Sequence, residues 1–318
     1  MRYLSPKADL TFKKVFGEHP ALIISFLNAL LPFESADEEI TWVEYLNPEL
    51  VPNNPLGKDS IVDVRCKDRQ GRQFIVEMQM MWTSAYRQRV LFNASKAYVS
   101  QLERGGDYEL LQPVYSLNLV NDTFSDSEDY YHDYRIVEVA ETKQVIEGLR
   151  FIFIELPKFT PKNYGDRKMQ VLWLRYLTEI NEKTREVPEE LLENPEISKA
   201  VTQLEESAFS DAQLLGYDKF WDMVSTAKMQ ISSSRREALA KGRAEGLAQG
   251  LEEGRRKGLE EGREKGLEEG RKEGLEEGRE EGREEERLRN ARAMKAKGYA
   301  LEDIAEITGL PYDKIQAL

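Results

Sequence analysis

The chain is short of the residues that most often carry soft chemistry. It has one cysteine, Cys66, and two histidines, His19 and His132, among 318 residues. A single cysteine excludes an intrachain disulfide, and this set excludes a structural zinc site of four cysteines or of two cysteines and two histidines. The two distant histidines and the lone cysteine make no persuasive nucleophilic dyad. There is no Gly-x-x-x-x-Gly-Lys-Ser/Thr phosphate loop and no Gly-x-Ser-x-Gly elbow. Long apolar runs are missing too: the longest, Ala21 to Leu31, is interrupted by Ser25 and Asn28 and is too short to span a bilayer. The opening MRYLSPKADLTFKKVFG lacks the apolar centre of a signal peptide. The expected setting is therefore cytoplasmic, with no membrane partner, and the Asn-x-Ser/Thr triplets at Asn93 and Asn121 are accidental.

An excess of basic charge is also absent. The chain has 45 Lys and Arg against 58 Asp and Glu, a net charge of −13. Residues 241–290 hold 13 basic and 16 acidic residues and residues 291–318 hold four of each, which leaves −10 on residues 1–240. A protein that simply coats DNA carries a basic footprint instead. Any nucleic-acid binding must rest on a local patch or on metal ions.

What is present reads as an α/β domain followed by a charged tail. Phe12, Val15 and Phe16 at helical spacing predict a short helix over 5–16. Pro20 opens a second helix through ALIISFLNALL, which ends at Pro32. Strands are expected at 40–46, 60–68 and 73–82, then an amphipathic helix over 84–104 stopped by Gly105 and Gly106. The segments 113–121 and 150–156 read as buried strands, and 163–240 as helices parted by loops around Pro188 and Pro195.

The hairpin from 60 to 82 is the most informative segment. With Arg69-Gln70-Gly71 as a three-residue loop, and Gly71 supplying a positive φ, facing residues sum to 140. One face is then apolar: Cys66 meets Phe74, Val64 meets Val76 and Val62 meets Met78. Such a buried thiol is inert. The other face pairs Lys67 with Gln73, Arg65 with Ile75 and Asp63 with Glu77, and Gln79 shares it. Asp63 and Glu77 would stand about 5 Å apart at Cβ and repel each other. A divalent cation between them reverses the sign of that interaction; Mg²⁺ suits a few carboxylate oxygens plus waters, acidifies a bound water and steadies charge on a phosphate. The same carboxylates also suit the solvated face of a two-sided sheet, neutralised by Arg65 and Lys67.

Asp9 on the first helix, Asp63, and Glu77-x-Gln79 on the next strand, followed by a helix, resemble the PD-(D/E)XK nuclease superfamily. More narrowly, DLTFKKVFG at 9–17, the Asp63 strand, VEMQ at 76–79, the stretch 86–121 and IFIELPKF at 152–159 resemble the Rpn family of recombination-promoting nucleases and transposases, over about residues 5–280. The resemblance implies a PD-(D/E)XK restriction-endonuclease-like core, a mixed central sheet flanked by helices, with a helical C-terminal extension. It implies catalytic Asp63, Glu77 and Gln79, with Asp63 and Glu77 as ligands of Mg²⁺ or another divalent cation and Asp9 as a candidate third. Asp9 reads equally as an N-cap accepting from Thr11 or Phe12. Gln79 stands where the superfamily has a lysine, and a neutral amide leaves the electrophilic role unassigned; Lys58, Lys67, Arg89 and Lys96 are candidates for the missing charge. Arg89, Lys96 and Gln101 are candidate DNA contacts, Arg89 and Lys96 sharing a helix face two turns apart. Tyr98 reads as packed against the sheet.

From Gly242 to Gly282 glycine recurs every fourth residue, eleven in all, over an eight-residue unit close to Gly-Leu-Glu-Glu-Gly-Arg-x-x. Each glycine costs a helix roughly 1 kcal/mol relative to alanine. Pairs such as Glu252 with Arg256 and Glu253 with Lys257 return a few tenths each. The segment reads as a flexible, solvated linker or, in second place, as a helix whose glycine stripe lets a second copy approach. Residues 301–318 resemble half of a helix-turn-helix turning at Thr308-Gly309, with packing rather than DNA reading as its use.

The expected organisation is a nuclease-like core over 1–165, packed helices over 166–240, the repeat over 241–290 and the small helical tail over 291–318. The expected function is an Mg²⁺-dependent DNA endonuclease that hydrolyses phosphodiester bonds by metal-activated water, tied by the resemblance to recombination or transposition. Its expected partners are DNA and a second copy bound through 241–290. The rival reading is a non-catalytic nucleic-acid- or protein-binding module that keeps the fold and self-associates through its tail.

Overall fold

The structure, a computed structural model, describes residues 2–50, 60–103, 105–161 and 168–318. The chain divides into two compact units, Met1–Ile231 and Ser232–Leu318.

The first unit opens with helices α1 (Asp9–Gly17) and α2 (Pro20–Leu30), the latter with Pro20 at its first turn. Three two-residue strands follow: β1 (Glu44–Tyr45), β2 (Glu49–Leu50) and β3 (Ser60–Ile61). The hairpin β4 (Val64–Lys67) and β5 (Gln73–Gln79) leads into α3 (Tyr86–Val99). Then come β6 (Val114–Val120), β7 (Tyr131–Val137) and β8 (Val145–Glu155), and the helices α4 (Lys168–Glu179), α5 (Glu189–Leu192) and α6 (Pro195–Thr202). The long helix α7 (Asp211–Ala296) begins in this unit.

Six strands form one mixed sheet in the order β1-β4-β5-β6-β8-β7. The β5–β6 and β6–β8 pairs are parallel, and the β4–β5 and β7–β8 pairs are antiparallel. A parallel pair needs a crossover, and α3 supplies the one between β5 and β6. Alternation along the strands feeds two cores. Phe74, Val76, Leu117, Leu119, Ile152 and Ile154 face one way, into a large cluster built with α1, α2, α4 and α6. Its centre is aromatic: Phe16 lies 4.3 Å from Phe26, and Trp173 meets both rings at 5.3–5.5 Å between centroids. Ile75 and Val114 face the other way, against Ala94 and Ala97 of α3. Strands covered on both faces read as nearly continuous apolar runs, and β5 does so until Glu77.

The hairpin has the register expected for it. Val64 pairs Val76, Arg65 pairs Ile75, Cys66 pairs Phe74 and Lys67 pairs Gln73, and Gly71 has φ 86°. Cys66 is buried, and burial pushes its thiol up to about 12. The expected strand over 60–68 is nevertheless interrupted. Ser60 and Ile61 pair with β2 in a separate two-stranded sheet, the Val62 N–H donates to Pro48 O, and β4 begins only at Val64. Val62 therefore does not pair with Met78. The strand expected over 40–46 is reduced to two residues, and Ile40 and Val43 enter the core. The helix expected over 84–104 ends at Val99. The edge strand β7 was not foreseen at all.

In the second unit the repeat is helical throughout, not the flexible linker given first place. Leu, Glu, Lys and Arg favour that backbone, and the Glu253–Lys257 pair closes at 2.8 Å. A Cβ added at any of the eleven glycines from Gly242 to Gly282 would meet nothing within 4 Å. The helices α8 (Leu301–Thr308) and α9 (Tyr312–Gln316) fold against the end of α7 around Ala291, Ile304, Leu310 and Ile315. Gly309 caps α8 in the left-handed conformation, at φ 65°. Among the described residues, no helix is long and apolar enough to cross a membrane.

Candidate functional site

Three successive segments of the chain meet at the carboxyl end of β5: the break before β4, the last residues of β5 and the first two turns of α3. Open α/β sheets offer their ligand sites at such strand ends.

Asp63 lies in the break. Its Oδ2 accepts the Met78 N–H at 2.7 Å. The Asp68 N–H donates to Arg72 O, so the hydrogen-bonded pairs of this ladder fall on even numbers, and Met78 N–H would next reach Val62 O. A side-chain carboxylate takes that place instead, which ends the strand and brings Asp63 alongside Glu77. Asp63 and Glu77 are thus neighbours at the strand end, though not the ladder partners that the 140 rule makes them.

Glu77 is only 5% exposed. That disposes of a solvated sheet face, and neither Arg65 nor Lys67 neutralises it: Arg65 binds Gln73 and Lys67 pairs with Glu44. The Asn93 amide donates to Glu77 Oε1 at 3.0 Å, and Ser60 Oγ donates to Asn93 Oδ1 at 2.6 Å. Arg89 Nη2 reaches Glu77 Oε2 at 3.3 Å and Gln79 Oε1 at 2.6 Å. Burial pushes the Glu77 carboxyl up to about 6; Asp63 adds to the rise, while Arg89 and Asn93 oppose it. Burial is also the main cause that raises Asp63. The Met78 N–H, Lys13 and Arg89 oppose that rise, and Asp9 adds to it. Loss of solvent, partly offset by Arg89 and Lys13, is thus what holds these two carboxylates back from ionising.

Asp9 is the first residue of α1, not its cap. Ala8 holds the cap position without a side-chain bond, and Asp9 pairs with Lys13 at 2.6 Å one turn on. Both nevertheless lie near enough to Asp63 to act on its charge. Lys96 donates to Leu50 O, and the Gln101 amide is engaged at both ends by the Gln112 backbone. The structure thus gathers Asp63, Glu77, Gln79 and Arg89, and leaves Lys67, Lys96 and Gln101 in contacts elsewhere. Lys58 lies outside the described residues. Tyr98 packs beside Ala94 and Ala97, against the place of Gly148.

Asn93, Ser60 and Lys13 were missed. Asn93 had a legible signal. It falls in the buried row of Tyr86, Val90 and Ala97 at helical spacing, where a polar side chain needs a partner. Beside Arg89 a cleft opens, lined by Ser60, Thr83, Tyr86, Gln88 and Phe92. The Tyr86 ring carries the Arg89 guanidinium at 4.8 Å and fixes its own hydroxyl on Asn118 Oδ1 at 3.1 Å.

The donors suit a hard divalent cation. Both are carboxylates, and among the described residues no third His, Cys, Asp or Glu joins them in a cluster. One or two carboxylates plus waters is how Mg²⁺ is held, whereas zinc and soft metals take nitrogen and sulfur.

A family model described as PD-(D/E)XK nuclease family transposase matches residues 6–233. No curated protein and no solved structure matches the chain.

Proposed function

We propose, for a chain that belongs to the PD-(D/E)XK nuclease family transposases, that Asp63 and Glu77 hold Mg²⁺, or a similar divalent ion, in a DNA endonuclease. The observation that carries this reading is the meeting of the buried Glu77 carboxylate with the half-buried Asp63 carboxylate at the carboxyl end of β5, each held by its own partner. A divalent ion there would act as a Lewis acid toward a phosphate and lower the pKa of a bound water.

The chain's own groups supply position. The Met78 N–H fixes Asp63 through Oδ2, and Asn93, itself held by Ser60, fixes Glu77 through Oε1. Hydrolysis joins a water oxygen to phosphorus and breaks the bond to one ester oxygen, with negative charge building on the non-bridging oxygens. Arg89, half exposed over the cleft, is the cation best placed to meet that charge. Lys96 and Gln101, committed to backbone groups, are left to shape α3 and the turn before β6. The net charge of −13 disfavours general coating of DNA, so binding depends on this local arrangement, and the activity belongs with DNA recombination or transposition in the cytoplasm.

The test is nicking of supercoiled plasmid at low salt by wild type with Mg²⁺, by wild type with EDTA, and by Glu77→Ala. Nicking that needs both Mg²⁺ and Glu77 is expected. Folded wild-type protein that leaves the plasmid intact with Mg²⁺ would overturn the proposal and favour a non-catalytic binding module.

A further inference from the structure

Arg89 sits where a cation is wanted, yet its two contacts are unequal. The same nitrogen, Nη2, lies 2.6 Å from Gln79 Oε1 and 3.3 Å from Glu77 Oε2. The shorter bond goes to the neutral amide. Gln79 is in turn locked, because its Nε2 donates to Met81 O at 2.6 Å and leaves Oε1 facing the guanidinium. Arg89 is thus anchored at Gln79 and only leans on Glu77.

The leaning contact falls on one particular oxygen. Glu77 Oε1 is taken by Asn93 and Asp63 Oδ2 by the Met78 N–H, both with short, buried or half-buried partners. Glu77 Oε2 is the oxygen left to Arg89. We infer that Arg89 is a displaceable counter-ion tethered by Gln79: it neutralises Glu77 in the ion-free protein, yields Oε2 when a divalent ion loads, and turns on its Gln79 anchor to meet a DNA phosphate. This rests on the reading of Asp63 and Glu77 as cation ligands.

The surroundings fit such a turn. The Arg89 side chain is 50% exposed, against 7% for that of Glu77. It lies across the flat face of Tyr86, which gives a guanidinium a surface to slide on without losing contact. The cleft beside it is lined by Ser60, Thr83, Gln88 and Phe92. A guanidinium keeps further N–H groups for a phosphate while one nitrogen stays on Gln79, and an ammonium would have no such fork. Two cations at one carboxylate oxygen repel, which supplies the push.

Calorimetric titration of the full-length, ion-stripped protein with Mn²⁺, alongside plasmid nicking, tests the inference with three variants. Arg89→Gln removes the competitor, so its Mn²⁺ affinity should rise by about tenfold over wild type, while nicking falls about 100-fold. Gln79→Leu removes the tether, so nicking falls while Mn²⁺ affinity stays at or above the wild-type value. Glu77→Gln should lose Mn²⁺ binding. Equal or weaker Mn²⁺ binding by Arg89→Gln, or nicking that survives either of the first two changes, overturns the inference. Mn²⁺ binding that ignores Glu77→Gln overturns the ligand assignment itself, and so separates the two failures.

Discussion

Replacing Glu77 by Gln changes a charge and almost nothing of the shape, and it should raise stability while abolishing activity. Glu77 is 5% exposed, and its carboxyl is pushed to about 6 from the ordinary 4.5, by burial first. A carboxyl raised in this way favours the fold fully below pH 4.5 and loses that contribution as pH rises through 6. The gap between 4.5 and about 6 corresponds to about 2 kcal/mol by pH 8. The amide escapes this loss and still accepts from Asn93. In EDTA, Glu77→Gln should therefore match the wild type near pH 4 and exceed it by about 2 kcal/mol at pH 8, a rise of about 4–8 °C in Tm. Mg²⁺ should close the gap from the wild-type side: an ion at 100 times its Kd adds about 2.7 kcal/mol, and the variant has lost a ligand. Thermal melts followed by circular dichroism from pH 4 to 8, with EDTA and with Mg²⁺, measure all of this. A melting difference that is flat with pH, or negative at pH 8, would refute the argument that the carboxylates are strained against the fold.

Asp63→Asn keeps an acceptor for the Met78 N–H and should stop nicking with stability at pH 8 at or above wild type. Asp63→Ala also stops nicking but orphans that N–H, for a loss of about 1–3 kcal/mol relative to Asn in urea unfolding. Asp68→Ala strips the acceptor of the Gln70 and Arg72 N–H groups and breaks the buried pair with Arg72 Nε beside the turn, so chemical denaturation should show a loss of about 3–5 kcal/mol. Gly258→Ala and Gly266→Ala add a Cβ that meets nothing, and each should stabilise the helix by about 1 kcal/mol, seen as slower amide exchange around those positions in the full chain.

What could be read from sequence was local. The hairpin register followed from turn chemistry, because Gly71 fixes the loop and the loop fixes every pair after it. Glycine and proline marked the start of α2 and the cap of α8 for the same reason. The site needed more. The halt at Asp63 depends on Met78, 15 residues away, choosing a side-chain oxygen over a backbone one, and no residue preference announces that choice. Asp9 read equally as a cap and as a ligand on the helix, because the pattern DLTF does not mark where the helix begins; in the structure it is the first residue of α1. The strand β7 escaped notice because an edge strand with residues such as Asp133 and Tyr134 exposed lacks the apolar alternation that signals a half-buried strand. Arg89 was one basic residue among several until the fold put its guanidinium on Gln79, while Lys96 and Gln101 turned inward to backbone groups.

The Asp63 carboxylate in the sheet ladder makes the Met78 amide a built-in reporter. The same side chain serves the backbone through Oδ2 and the candidate cation site through the rest of its charge. Drawing electron density toward a cation weakens the acceptor, so the Met78 proton resonance should move upfield on loading and its solvent exchange should quicken, while the neighbouring Val76 amide stays still. Site occupancy can then be followed at a single backbone signal.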